Sequence, residues 1–174
     1  MPSSKVRQIF FLLSSGAAKA QDTSKQKLTI DWSLFADVYY AYDFNKPSNH
    51  EKAPFIYNYK RHNEFNLNLA LIQASLQYKN LRSVIGIQAG TYPQYNYAGE
   101  QELLRHIYQA NVGVKLSAKK ELWLDAGILP SHIGYESAIS KDCWTLTRSM
   151  AAENSPYYES GVRLAYTSKN QHWQ

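Results

Sequence analysis

Residues 28–44 alternate between apolar and polar positions over an unusual length. Even positions carry Leu28, Ile30, Trp32, Leu34, Ala36, Val38, Tyr40, Tyr42 and Phe44. Odd positions carry Thr29, Asp31, Ser33, Asp37 and Asp43, interrupted by Phe35, Tyr39 and Ala41. Side chains of a β-strand point to opposite faces in turn, so the pattern predicts a strand with one oily and one largely wet face. A globular strand usually has about 5–6 residues, whereas a membrane-crossing strand needs roughly 9–11. A helical period would set Asp31 beside Leu28, Trp32 and Phe35, so a helix fits poorly.

Five further strands are predicted. In 64–78, Phe65, Leu67, Leu69 and Leu71 are apolar at odd positions, then Ile72, Ala74, Leu76 and Tyr78 at even ones, and the phase change at Leu71-Ile72 predicts a bulge there. In 81–92, Ile85, Ile87 and Ala89 oppose Arg82 and Gln88. In 107–117, Tyr108, Ala110, Val112, Val114 and Leu116 oppose Gln109, Asn111 and Lys115. In 122–128, Leu122, Leu124, Ala126 and Ile128 oppose Trp123 and Asp125. In 157–166, Tyr158, Val162, Leu164 and Tyr166 oppose Glu159 and Arg163. Leu103, Leu104, Ile107 and Tyr108 also fit helical spacing, so a short helix within 100–110 is an alternative to plain loop.

The connections run long, short, long, short, long: 45–63, 79–80, 93–106, 118–121 and 129–156. In an up-and-down meander, alternate connections share a rim, so the long loops gather at one end and the tight turns at the other. That asymmetry belongs to outer-membrane barrels; a sandwich or soluble barrel gives no reason for it. The fold class predicted is all-β, a transmembrane antiparallel up-and-down β-barrel. About six strands are present, and single-chain bacterial barrels have at least about 8. Lys169-Asn170 reads as a turn, and His172-Trp173-Gln174 as the entry to a seventh strand. The expectation is therefore the N-terminal portion (21–174) of a longer barrel.

Composition agrees once the first twenty residues are set apart. Lys5 and Arg7, the apolar stretch Ile9–Ala18 and the small-x-small triplet Ala18-Lys19-Ala20 predict a signal peptide over 1–20. Without Lys5, Arg7 and Lys19, 16 basic residues face 14 acidic ones. They form no concentrated basic stripe, so no nucleic-acid partner is expected. The mean hydropathy of −0.48 is low, but polar inward positions dilute lipid-facing ones in a barrel. There is no apolar run long enough for a membrane helix. The 14 Tyr and 4 Trp suit a membrane–water boundary, and a Tyr-rich soluble β-protein would share the trait.

Candidate chemistry is sparse. His50, His62, His106, His132 and His172 have no i+3 or i+4 partners and fall in or beside loops, so solvated histidines are expected and no metal. Cys143 is alone and cannot form an intrachain disulfide. Ser131, His132 and Asp125 invite a triad, but the Gly-x-Ser-x-Gly elbow is missing. No catalytic residue, cofactor or enzymatic activity is expected. The alternation itself carries the site prediction: with even positions of the first strand toward lipid, Asp31, Asp37, Asp43, Asn66, Asn68, Gln109, Asn111, Lys115, Asp125, Glu159 and Arg163 line the interior. A charge facing lipid near the midplane would cost up to about 2–4 kcal/mol, which sets the facing of the charged members.

Several segments resemble the OmpL-like β-barrel porins (porin-2 family). They are Asp37–Asn45 (DVYYAYDFN), Arg61–Leu69 (RHNEFNLNL), Gly90–Pro93 (GTYP) and Trp123–Ile128 (WLDAGI) with His132–Ser137 (HIGYES). Thr147-Arg148-Ser149, leading into Ser155–Gly161 (SPYYESG), completes the set. The resemblance implies an outer-membrane β-barrel that passes small hydrophilic solutes passively, with outer-membrane lipid and those solutes as partners and a homo-oligomer open as an assembly. It brings no catalytic residues or cofactors. The rival expectations are a barrel enzyme, a surface-binding barrel acting through its long loops, and a soluble exported β-sandwich.

Overall fold

The computed structural model describes residues 27–134, 136–145 and 148–168 and the backbone of 172–173. The expected signal peptide lies outside the described residues. The described strands are β1 (Thr29–Tyr40), β2 (Phe65–Tyr78), β3 (Leu81–Ala89), β4 (Ile107–Lys115), β5 (Glu121–Pro130), β6 (Tyr158–Thr167) and a two-residue β7 (His172–Trp173). They form one antiparallel sheet in the order β1-β2-β3-β4-β5-β6-β7, each strand beside its neighbour in sequence. The sheet is unclosed, and the all-β meander expected from the alternation is what forms. The connections 41–64, 90–106 and 131–157 share one rim, and 79–80 and 116–120 the other. Among the described residues no helix is long and apolar enough to cross a membrane.

Register shows how the chain sorts its side chains. Leu34 pairs with Ile72, Ile72 with Ile87, Ile85 with Ala110, Val112 with Ala126 and Leu124 with Leu164. Paired residues share a face, so one apolar surface runs across six strands. It is open to the surroundings: Leu34 is 77% exposed, Phe65 82% and Val162 71%. On the other face Asn68, Gln88, Gln109 and Asp125 are buried. Large apolar side chains outside and amides inside invert the arrangement of a water-soluble domain. That inversion is the one lipid demands.

The phase change of β2 exists, but not at Leu71-Ile72. Asp37 pairs with Leu69 and Val38 with Leu67, which leaves Asn68 as the bulged residue. Phe65 therefore faces outward, while Leu69 and Leu71 turn inward and are buried. A second bulge sits at Tyr108, skipped between the pairs Gly86–Gln109 and Ile87–Ile107. Its ring lines an inner cavity instead of joining Ala110 on the outer face.

β1 ends at Tyr40, four residues before the alternation does. Beyond that point the backbone bonds to a returning loop: Asn63 N–H donates to Ala41 O (2.7 Å) and Asp43 N–H to the His62 ring (2.8 Å). β3 ends at Ala89 because Gly90 turns the chain at φ 125 into α1 (Thr91–Asn96). A Cβ at Gly90 would lie 2.5 Å from Asn68 O, so only glycine fits. The helix expected within 100–110 is one turn, α2 (Glu102–Arg105), after which β4 takes over Ile107. A third short helix, α3 (Met150–Glu153), starts at Ser149, whose Oγ accepts the Ala152 N–H. The buried cluster of Leu69, Tyr92 and Tyr97, with Phe35, Ala138, Tyr157 and Tyr158 against it, lies where the long loops meet the sheet. Tyr158, expected to look outward with Val162, instead stacks on Tyr97 at 5.5 Å.

Facing can be measured at the centre of β1. Leu34→Arg should lower the unfolding free energy in lipid vesicles by about 2–4 kcal/mol. Ser33→Arg, one residue away and turned inward, should cost less than about 1 kcal/mol. Urea titration of the two variants provides the comparison.

Candidate pore-facing interior

The inner face is a set of cross-strand rows. One row runs Arg82, Gly113, Asp125, Arg163 across β3 to β6. Arg82 grips Asp125 with two bonds, Nε to Oδ1 at 2.7 Å and Nη2 to Oδ2 at 2.6 Å. Arg163 adds bonds to Oδ2 from Nη2 (3.1 Å) and Nε (3.3 Å). Arg82 and Asp125 are two strands apart, so the guanidinium must cross β4. It can do so because the residue below is Gly113: a Cβ there would sit 2.1 Å from Asp125 Oδ1. The guanidinium also lies over the Trp123 ring, 4.3 Å from its centroid. Asp125 is fully buried, while both arginines keep an edge in solvent.

Other predicted interior residues meet their own partners. Gln109 donates to Gln73 Oε1 (2.7 Å) and Asn111 to Ile128 O (3.3 Å). Lys115 pairs with Glu121. Asn68 donates to Asp37 Oδ2 (3.2 Å), and Asn66 donates to Glu64 (2.9 Å). Asp31 pairs in register with Ser75 at the exposed start of β1. Asp43 is the exception: it sits in the 41–64 loop, past the end of β1, and its Oδ1 accepts Asn45 N–H (2.9 Å).

The pattern did not foretell that the first long loop packs onto the inner face. Asn58, Tyr59, Lys60 and His62 are all buried. The Tyr59 hydroxyl donates to Asp37 (2.7 Å), its N–H donates to Asn68 Oδ1 (3.2 Å), and its ring meets Tyr39 edge-on. Burial, with that hydrogen bond second, pushes the Tyr59 phenol up to about 12. Lys60 Nζ is held by the carbonyls of Ala53, Pro54 and Ile56 and lies over the Tyr57 and Tyr95 rings. Glu153 of α3 reaches across from the last long loop, accepting Tyr57 N–H (3.0 Å) and Asn58 Nδ2 (2.5 Å). His62, expected to be solvated, is instead buried as the acceptor for Asp43 N–H, because a loop that turns inward carries its polar groups with it. The only signal was its run of aromatic and amide residues, Tyr57-Asn58-Tyr59, uncommon for a solvated loop.

Ser131, His132 and Asp125 do not assemble. Asp125 is committed to its arginines, while Ser131 Oγ (3.4 Å) and His132 Nδ1 (2.9 Å) both turn to Glu159. Cys143 bonds through Sγ to Ser137 O at 3.1 Å. Among the described residues no three His, Cys, Asp or Glu side chains converge as metal ligands do.

An apolar outer face, a polar inner face and long loops on one rim define a porin-like membrane β-barrel wall. The family model described as "Putative beta-barrel porin-2, OmpL-like" matches residues 29–174, most of the chain, and the chain belongs to that family. No curated protein and no solved structure matches it.

Asp125→Ala should destabilise the fold by about 3 kcal/mol, since it leaves two facing guanidinium groups without their carboxylate; urea unfolding measures it. The Tyr59 phenol makes a second expectation. The folded chain keeps this proton to about 12 while the unfolded phenol loses it near 10, so the unfolded state binds fewer protons in that window. The loop's contribution is then intact below pH 10 and fades as pH rises toward 12. An alkaline phenolate titration should show one group near 12 that is missing from Tyr59→Phe.

Proposed function

We propose that this chain forms the wall of an outer-membrane porin through which small hydrophilic solutes diffuse passively. The observation that carries it is the division of faces: the outward surface is apolar across six strands, and the inward surface bears Asp37, Asn68, Gln109, Lys115, Asp125 and Arg163. A water-filled interior hydrates such groups, and hydrocarbon would not. The export signal over 1–20 supplies the route to the outer membrane. Both charge signs occur along the interior and most are paired, which favours weak ion selectivity. Open strand edges in lipid would leave peptide groups unpaired, so in the conducting form the edge strands of this chain are paired, as in an assembly of copies. The inward loop of residues 41–64 narrows the mouth, as loops do in pores of this kind. In this reading the protein is not an enzyme, its partners are outer-membrane lipid and the solutes that cross it, and it binds no nucleic acid.

Planar-bilayer recording of the purified chain tests the proposal. Stepwise, ohmic conductance is expected, larger after deletion of residues 46–60. Membranes that stay at the bare-lipid baseline at every protein concentration would refute it.

A further inference from the structure

Between the connections 90–106 and 131–157 lies a cavity of about 260 Å³. Its walls include the rings of Tyr92, Tyr108 and Tyr157, and Arg148 projects to it from the segment before α3. The guanidinium is poorly matched by the protein. Nη2 donates to Ala152 O at 3.2 Å, while Nε and Nη1 are buried with no hydrogen-bond partner among the described residues. Glu136 is the carboxylate lining the same cavity, but both its oxygens accept from Ser149, from the backbone N–H and from Oγ. It forms no ion pair with Arg148 among the described residues.

A buried guanidinium with unused N–H groups loses hydration without replacement, which is costly for a charged group. Native interiors keep such a group where something else completes it. Arg61 holds Glu64, Arg82 and Arg163 share Asp125, and Arg105 donates to the carbonyls of Glu100 and Ala98. Arg148 has a single hydrogen bond among the described residues and sits beside a cavity. Tyr92, Tyr157 and Arg148 line the same cavity; burial raises both phenols, and the positive charge of Arg148 acts the other way on each.

We propose that this cavity binds a small organic carboxylate, with Arg148 taking the anion and the three tyrosine rings packing on the organic part. A guanidinium presents N–H groups in the planar fork that a carboxylate matches. The rings give apolar contact to the remainder of the ligand. The site lies on the rim that carries the long loops, so such a solute would be captured at the mouth before it reaches the interior rows. Binding needs only the folded loops and does not depend on conduction.

Calorimetric titration of the full chain in detergent micelles, with benzoate and its neutral analogue benzamide, tests the assignment. Benzoate should bind about tenfold to a hundredfold more tightly than benzamide, and Arg148→Gln should remove a similar factor. Equal binding of the two ligands by the unmodified chain would overturn the proposal even if Arg148→Gln failed to fold. Undiminished benzoate binding by a folded Arg148→Gln chain would also overturn it, and inorganic phosphate binding as tightly as benzoate would overturn the carboxylate assignment. Benzoate binding without conductance would leave this site standing and count against the pore, whereas conductance without benzoate binding would do the reverse.

Discussion

A peptide group in hydrocarbon finds no hydrogen-bond partner except another peptide group, and everything else in this structure follows from how the chain meets that demand. Six long strands pair with their sequence neighbours, so each internal strand has its backbone satisfied from both sides. Pairing in turn commits side chains to one of two faces, because a pleated strand has no third direction. Leu34, Ile72, Ile87 and Ala110 fall on one side, and Gln73, Gln88, Gln109 and Asp125 on the other. A one-residue slip anywhere would exchange the two sets. The two bulges, at Asn68 and Tyr108, are therefore informative: each shifts the phase within one strand while the neighbouring pairs keep their faces.

Charge on the inner face is managed by sharing. Asp125 is out of contact with solvent and would be costly there alone, so two arginines from strands on either side converge on it. The convergence needs an empty lane between β3 and β5, and Gly113 leaves one. A similar economy operates above, where Asp37 takes the Tyr59 hydroxyl and Glu153 takes the backbone of the same loop. These contacts tie residues 41–64 to the sheet and to the last long loop. The interior of this porin-family chain is thus a set of bonded rows partly covered by its own loop.

How much of this could be read from the residues depended on the range of the interaction. Alternation is local, so β1, β3, β4, β5 and β6 were legible to within a few residues, and with them the one sheet face that Asp37, Asn111, Asp125 and Arg163 share. The phase change of β2 was legible as a fact but misplaced by three residues. Two leucines in an apolar run look the same whether they face lipid or a tyrosine cluster, and only pairing with Asp37 shows that Leu69 faces in. Alternation persists past the last ladder bond and so puts Asp43 on a strand, because periodicity alone does not register where the ladder stops. The roles of Gly113 and Arg82 in holding Asp125 depend on residues 43 positions apart and left no local trace.

By itself, the order of residues determined the class of architecture, the two chemically opposed faces and the rim to which the long connections belong, because each depends on near neighbours and on a period of two. The tertiary structure decided the rest: where the bulges fall, which loop turns inward, which carboxylate is shared by two arginines and which arginine is left facing a cavity. Those outcomes depend on contacts between segments distant in sequence, and no local pattern encodes the distance between them.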